Sequence, residues 1–340
     1  MNWQALQRSR LGRAILWPLS VIYGVVTLAR VRAYARGQLK PQRLRGAVVS
    51  VGNLTVGGAG KTPMVLWLAE KFIAQGQRVA VLTRGYRGGA GTSDEVEVLR
   101  SRLRERAVVA VGADRFATGS ALEAQRPVDI FLLDDGFQHL QLARDVDIVL
   151  LDASRSLAEE KLLPAGLLRE PISAMGRADA LVITRAETQP GVAAAVAHLG
   201  SYPVFTSTTK LLGYRRLGSD GAGLLAPKEI GAGPFFAFCG LGNPQQFFVD
   251  LERWGISVAG QRVFPDHHHY SHWDGAELER AAERANAPAL ITTEKDAKNL
   301  VGVSLSSYPV FVAVIDIEVS PEEDFLALIA SKIERAEPAR

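Results

Sequence analysis

The stretch SVGNLTVGGAGKTP, residues 50–63, follows an apolar run at 47–51 and leads into an amphipathic run at 64–72. After a buried strand, a loop of small residues lets consecutive backbone N–H groups turn inward around phosphate oxygens. The helix that follows adds its positive N-terminal end. Gly57, Gly58 and Gly60 offer the positive-φ freedom and close approach that such a cradle needs. The candidate nucleotide-binding residues are therefore Thr55, Val56, Gly57, Gly58, Ala59, Gly60, Lys61 and Thr62. In this reading Lys61 reaches the β- and γ-phosphates, and the Thr62 hydroxyl ligates Mg²⁺. Pro63 fits the first helical turn, where a missing N–H costs nothing. The general pattern G-x-x-x-x-G-K-[ST] has glycine where this chain has Thr55. A merely flexible strand–helix turn leaves unexplained why Lys and Thr follow Gly60 at the head of a helix.

A second signal lies downstream. IFLLDD, residues 130–135, is an apolar strand ending in two carboxylates. In enzymes with such a loop, an acid at a strand end helps hold Mg²⁺ beside the phosphates. Asp134 and Asp135 are both candidates, and the sequence leaves the choice between them open.

Working outward, strand-like and helix-like runs alternate, the pattern of a mostly parallel sheet wrapped by helices. Strands are expected at 47–52, 78–83, 107–111, 128–133, 146–151 and 180–184, with helices at 62–75 and 114–125 among them. A second alternating set occupies 234–239, 243–254, 256–264, 274–285, 289–292 and 308–314. The fold class is α/β: a P-loop NTPase-like, mostly parallel sheet flanked by helices, with a second, smaller α/β domain and an N-terminal membrane-associating helix. The expected domains are a basic arm at 1–45, a nucleotide-binding domain at 46–212 and a Gly/Ser-rich linker at 213–223. A C-terminal domain at 224–335 is expected to close over the active site.

At 340 residues the chain exceeds the size at which a single core usually stops growing. Its 47% hydrophobic and 22% charged residues describe a folded protein. The lone cysteine, Cys239, excludes an internal disulfide framework and a cysteine-based zinc site, and reads as a small buried strand residue. The net charge of +3 hides an asymmetry. Residues 1–45 hold nine Lys/Arg and no acid, leaving 30 basic against 36 acidic residues elsewhere. That argues against a nucleic-acid-binding body and for an arm with its own partner. Within the arm, residues 14–29 are uncharged, 16 in a row, with Arg13 before them and Arg30 after. A spanning helix needs about 20 apolar residues. An apolar helix flanked by arginines and carrying Trp17 and Tyr23 suits the headgroup boundary of an anionic membrane. Whether it spans or lies on the membrane stays open, and a buried first helix is the competing reading.

The loop, the Asp pair and the arm together resemble the tetraacyldisaccharide 4′-kinases, the lipid A 4′-kinases of Gram-negative bacteria. The stretches that carry the resemblance are SVGNLTVGGAGKTP, TRGYRG (83–88), DDGFQH (134–139), LPAGLLREP (163–171), GLGNPQQF (240–247), FPDHHHY (264–270) and TTEKDAKNL (292–300). They run in one order from 50 to 300, and DDGFQH and DHH followed by TEKDA are the more specific. Thr55 also matches that family's version of the loop.

The resemblance implies transfer of the γ-phosphate of ATP, with Mg²⁺, to the 4′-hydroxyl of a tetraacylated glucosamine disaccharide 1-phosphate. It implies a membrane-associated enzyme at the cytoplasmic face of the inner membrane, with no nucleic acid and no obligatory protein partner. It points to Asp94, paired with His267, as the base that accepts the hydroxyl proton, a carboxylate–imidazole pair being a standard way to orient such a group. The family usually has Gly-Asp-Glu-Pro around that aspartate, where this chain has Ser93, Asp94, Glu95 and Val96. Glu170 is a further acid for Mg²⁺ and Arg169 lies near the phosphates. Arg84, Tyr86, Gln138 and His139 line the headgroup site. Asp266 is placed to orient His267, and His268, His269 and His272 are expected as surface or supporting residues. Adjacent histidines on an extended run face opposite ways, so the cluster is not read as a metal site.

The competing function is a membrane-associated regulatory P-loop NTPase. A GTPase switch calls for an Asn/Thr-Lys-x-Asp motif, and the nearest match, residues 293–296, has Glu before the Lys and lies far down the chain. A metallochaperone-type NTPase lacks cysteine ligands.

Overall fold

The structure, a computed structural model, describes residues 10–85, 93–155, 160–189, 191–197, 202–219, 223–231, 233–305 and 307–336. The chain divides into two compact units. The first is Met1–Arg84, Leu103–Thr209 and Ile317–Arg340, and the second is Gly85–Arg102 and Lys210–Asp316.

The first unit holds β1 (Ala47–Asn53), β2 (Val79–Thr83), β3 (Val108–Val111), β4 (Ile130–Asp134), β5 (Val146–Asp152), β6 (Ala180–Thr184) and the start of β7 (Val204–Arg216). Their order is β3-β2-β4-β1-β5-β6-β7, and the paired strands run parallel. The run AVVSVGN is buried along its whole length, as are VAVLT, IFLLD and ALVIT. Near-continuous apolar runs are what a parallel sheet covered on both faces requires. The edge strand β3 is only partly buried. One apolar cluster joins Leu44, Val48, Leu82, Leu122 and Phe131, and another joins Leu54, Phe137, Leu151, Met175 and Ile183. The register sets Val51 of β1 beside Asp134 of β4, so the loop after β1 and the acids after β4 leave the sheet at the same end. In sheets of this kind ligands bind beyond the carboxyl ends of the strands.

The helices of this unit are α1 (Arg10–Ala35), α2 (Lys61–Ala74), α4 (Arg115–Gln125), α5 (Val192–Ala197) and α9 (Glu322–Ala336). In α1, Leu16 and Ser20 are buried, and Ser20 Oγ donates to the Leu162 carbonyl at 3.0 Å. Tyr23 OH donates to the Arg169 carbonyl at 2.9 Å, and a Cβ on Gly24 would meet Leu162 at 2.8 Å. Positions 16, 20, 23 and 24 form one helical stripe. Ile15, Trp17, Leu19, Val21, Ile22, Val25 and Val26 are exposed. The segment Ile15–Ala35 is long and apolar enough to cross a membrane.

The second unit holds the end of β7, β8 (Phe235–Cys239), β9 (Val258–Val263), β10 (Leu290–Thr293) and most of β11 (Val310–Ser320), in the order β7-β11-β10-β8-β9. Its helices are α3 (Asp94–Leu103, whose last residue belongs to the first unit), α6 (Pro244–Arg253), α7 (His272–Arg284) and α8 (Glu294–Asn299). Along β8, Phe235, Ala237 and Cys239 enter one apolar cluster, while Phe236 and Phe238 enter the other. That is the period-two alternation of a strand covered on both faces. The Cys239 thiol is pushed up to about 12 by burial, so it is inert at neutral pH.

The strands and helices expected from the sequence appear within a few residues of their bounds. Five elements were not anticipated: α3, α5, β7, α8 and α9. β7 carries Gly213–Arg216 of the stretch expected as a linker. Residues Gly85–Arg102 cluster with the second unit.

Candidate active site

The glycine loop is built as its composition requires. Gly57 has φ 111° and Gly60 φ 82°, both in the region that favours glycine. Gly58 does not take a positive φ, which corrects the expectation that all three glycines do. Gly60 caps α2, and no side chain caps that helix. Its first-turn N–H groups therefore face the loop without a side-chain acceptor, the arrangement that suits a phosphate. The loop is pinned from both sides. Val56 N donates to the Leu167 carbonyl at 2.8 Å, and Arg169 N donates to the Leu54 carbonyl at 2.7 Å. Thr184 Oγ1, at the end of β6, donates to the Ala59 carbonyl at 3.2 Å. Thr55 bridges to Leu168, and Thr62 is the second residue of α2.

Asn53, fully buried at the end of β1, organises the cationic side. Its Nδ2 donates to the Thr55 carbonyl at 2.8 Å, and its Oδ1 accepts from Lys61 Nζ at 3.0 Å. Lys61 Nζ also lies 3.6 Å from Asp135 Oδ1. Arg169 closes on the same carboxylate, its Nη1 donating to Oδ1 at 2.8 Å and Oδ2 at 2.6 Å. Gln138 Nε2 donates to the Asn53 carbonyl at 3.0 Å. Burial works to raise Asp135, but Lys61 and Arg169 hold it below the usual carboxylate range. Asp135 sits at φ 58°, a costly conformation for a non-glycine residue.

Asp134 differs from its neighbour. It is buried, its Oδ2 accepts from Thr83 at 3.4 Å, and its Oδ1 has no hydrogen-bond partner. Burial, with Lys61 opposing it and Asp135 adding to it, pushes its carboxyl up to about 6. Glu170 is also buried, and both its oxygens are taken by Arg177, at 2.7 and 3.1 Å. The structure thus gives Glu170 a bidentate arginine partner.

His139 lies among cations. Burial first, then Arg115, Arg144 and Arg30, lower its imidazole to about 4, and its buried Nε2 has no partner. Arg84 is exposed just beyond β2. Tyr86 lies outside the described residues.

The second unit gathers a different set. His267 Nδ1 lies 3.0 and 3.1 Å from the two Asp94 oxygens. Asp94 is buried and opens α3, which also carries Glu95. Asn299 Nδ2 donates to Asp94 Oδ2 at 3.3 Å. His267 takes φ 58°, again a strained position at a polar cluster. Lys295 Nζ lies 3.6 Å from Asp94 Oδ2, 3.3 Å from Glu95 Oε1 and 3.1 Å from Asp266 Oδ1. Burial works to raise Asp94, yet hydrogen bonds with His267 and Glu95 and the charge of Lys295 hold it well below the usual range. Burial and the hydrogen bond with Asp94 push Glu95 up instead, against the charge of Lys295. The two adjacent carboxyls are thus shifted in opposite directions. Hydrogen bonding to Asp94 raises His267, against burial and Lys295. Asp94, Glu95 and His267 bring ligand atoms within 4.8 Å of one another, and the Lys295 ammonium supplies the positive charge among them.

Of the neighbouring histidines, His268 braces the loop, while His269 and His272 are exposed. His268 stacks on Phe264 with centroids 4.7 Å apart and pairs with Asp274 at 3.2 Å. Asp296 holds Gly240 N at 2.8 Å, Tyr270 OH at 2.8 Å and Thr293 Oγ1 at 2.6 Å. The TEKD segment is therefore spent on this cluster, Lys295 among the acids and Asp296 as a buried brace.

Residues 12–334 match the family described as tetraacyldisaccharide-1-P 4′-kinase. The chain belongs to this family. A tetraacyldisaccharide 4′-kinase of Geobacter metallireducens is 38% identical over 328 residues, covering 91% of this chain and 94% of the relative. One from Pelobacter propionicus is 38% identical over 308 residues, covering 85% and 84%. The crystal structure of LpxK from Aquifex aeolicus, solved in complex with ATP, superposes with a TM-score of 0.76 at 31% identity, covering 94% of this chain and 99% of that one. As a member of the tetraacyldisaccharide-1-P 4′-kinase family, the chain is an ATP-dependent kinase with a P-loop α/β fold. Asn53, Arg115, Arg144, Lys295 and Asn299 join its polar clusters without having been singled out in the sequence. Asn53 was within reach, since it ends the strand that enters the loop. Arg144 lies five residues from His139, and Arg115, Lys295 and Asn299 become neighbours of site residues only when distant segments fold together.

Proposed function

We propose that this chain transfers the γ-phosphate of ATP to the 4′-hydroxyl of a tetraacylated glucosamine disaccharide 1-phosphate, with Asp94, oriented by His267, accepting the hydroxyl proton. The observation that carries the reading is the uncapped N-terminus of α2 beneath a glycine loop, with Lys61 held by Asn53 beside Asp135. In the transfer the hydroxyl oxygen attacks the γ-phosphorus, the bond to the bridging oxygen breaks, and ADP leaves with that electron pair. Lys61 and the loop N–H groups hold the β- and γ-phosphates, and Arg169 adds a second cation beside them. The donor set fits Mg²⁺: Asp134 has an oxygen to spare in a buried site, and Thr62 brings a hydroxyl. Bound there, the ion neutralises charge on the phosphates. Glu170 reaches a cation only by giving up a contact to Arg177. Arg84, Gln138 and His139 line the headgroup site, where Arg115, Arg144 and Arg30 around His139 favour an anionic group.

The acceptor carries four acyl chains in this reading. Leaving a bilayer costs about 0.8 kcal/mol per CH₂, so the enzyme must come to the membrane. The exposed apolar side of α1 is suited to the cytoplasmic face of an anionic inner membrane.

The test is transfer from γ-labelled ATP with Mg²⁺ to the tetraacyl disaccharide 1-phosphate in detergent. Label enters the lipid with the native chain and not with Lys61→Ala. Free phosphate released at a rate indifferent to the acceptor would instead mark a hydrolytic switch. For the membrane, Ile22→Glu with Val26→Glu should abolish cosedimentation with anionic vesicles while the labelled product still forms in detergent. Unchanged vesicle binding would rule out the α1 face.

A further inference from the structure

We propose that Lys295 is the positioning residue of the base: its ammonium, set against both the Asp94 carboxylate and the far edge of the His267 ring, holds His267 in the tautomer that faces Asp94. The inference rests on the assignment of Asp94 and His267 as the base pair. Lys295 Nζ lies 3.4 Å from His267 Nε2, on the opposite edge of the ring from Asp94. An ammonium has only donors, so this contact uses the Nε2 lone pair, with Glu95 Oε1 and Asp266 Oδ2 farther from the same nitrogen at 3.7 and 3.8 Å. The ring proton then resides on Nδ1, where it is donated to the Asp94 carboxylate. Protonating Nε2 as well would set two cations 3.4 Å apart. Of the two neutral tautomers, the lysine thus favours the one protonated on Nδ1.

The groups that face this point come from three segments. α3 brings Asp94 and Glu95, the loop after β9 brings Asp266 and His267, and α8 brings Lys295 and Asn299. Three carboxyls surround one ammonium, and burial of Lys295 is outweighed by Glu95, Asp94 and Asp266, so it stays charged. A second bridge ties the same helices together: Arg102 Nη1 lies 3.2 Å from a Glu294 oxygen and 3.2 Å from the Ile315 carbonyl. The lysine is thereby held by its helix as well as by its partners.

Removing the charge has a definite sign. Lys295 lowers both Asp94 and His267, so its loss raises both. Any acid limb that reports either group in its deprotonated form moves to higher pH. A unit charge at this distance corresponds to roughly one to two pH units.

The experiment measures kcat and KM for ATP from pH 5 to 9 with the lipid acceptor, for the native chain, Lys295→Met and Lys295→Arg, alongside Asp94→Asn. Lys295→Met should lower kcat about 10- to 100-fold, leave KM for ATP unchanged and shift the acid limb upward. Lys295→Arg keeps the charge but not the geometry, so the limb stays while part of kcat is lost. A limb that does not move in Lys295→Met overturns the proposal at any rate. So does a limb that moves equally in Lys295→Arg. Failure of the underlying assignment reads differently: Asp94→Asn would then retain native kcat.

Discussion

The two polar clusters of this enzyme solve opposite electrostatic problems. Around the glycine loop, two cations converge on one carboxylate, Lys61 and Arg169 on Asp135, beside a helix N-terminus with no side-chain cap. That side is made for an anion. In the second unit, three carboxyls converge on one ammonium, Asp94, Glu95 and Asp266 on Lys295, with an imidazole alongside. That side has acid to spare, and under the proposed function it receives the proton. Phosphoryl transfer needs both, because the phosphates must be neutralised while the attacking hydroxyl gives up its proton. The contrast also shows in the pairs of adjacent acids. Asp134 is pushed up by burial while Asp135 is held down by cations, and Asp94 is held down while Glu95 is pushed up.

The sharpest way to break the comparison is Asp94→Asn. A lost general base costs about 10²- to 10⁴-fold in kcat, and ATP affinity should not change. If ATP binding, measured calorimetrically without acceptor, weakens as well, the division of labour fails. Next in size is Lys61→Ala, expected to lower kcat about 10²- to 10³-fold and to weaken ATP binding in the same titration.

A third test addresses Asp134. Its folded value of about 6 lies above the ordinary 3.8. A raised carboxyl leaves the folded state fully stabilised only below about 4, and that contribution is lost as pH rises through 6. At pH 7.5 the ionised carboxylate therefore costs stability, on the order of 3 kcal/mol for a shift of this size. Asp134→Asn should raise the melting temperature at pH 7.5 without Mg²⁺, with the gain shrinking as pH falls toward 4, and transfer should be lost. Equal melting temperatures at pH 7.5 would show that the orphan oxygen carries no strain. The smallest effect is Tyr23→Phe, which removes one hydrogen bond to the Arg169 carbonyl and should cost about 1 kcal/mol in chemical denaturation. A fall in kcat beyond that loss would tie α1 to the phosphate side.

Much of the first cluster was legible in sequence because its parts lie at strand ends. Residues 47–51 are apolar but for Ser50, the mark of a buried parallel strand, and the small residues that follow mark the turn into a helix. The run at 130–134 gave Asp134 and Asp135 the same standing, and the register of β1 against β4 placed them at the loop. The second cluster was less legible. Asp94 reads as a polar loop residue until α3 forms, and its partner lies 173 residues away. β7 escaped notice because its burial is irregular along its length, and α9 because no motif marks it.

What the sequence determined by itself was the periodicity of its strands and helices, the phosphate loop, the placement of two acids at the end of one strand, the charge of the arm and the membership of a kinase family. Those are properties of neighbouring residues or of ordered motifs. Only the tertiary structure decided that Asp134 keeps a spare oxygen while Asp135 is clamped, that Glu170 is held by Arg177, and that Lys295 stands at the far edge of the His267 ring. Charge, burial and tautomer are set by which groups come within a few ångströms, and that distance is a property of the folded chain alone.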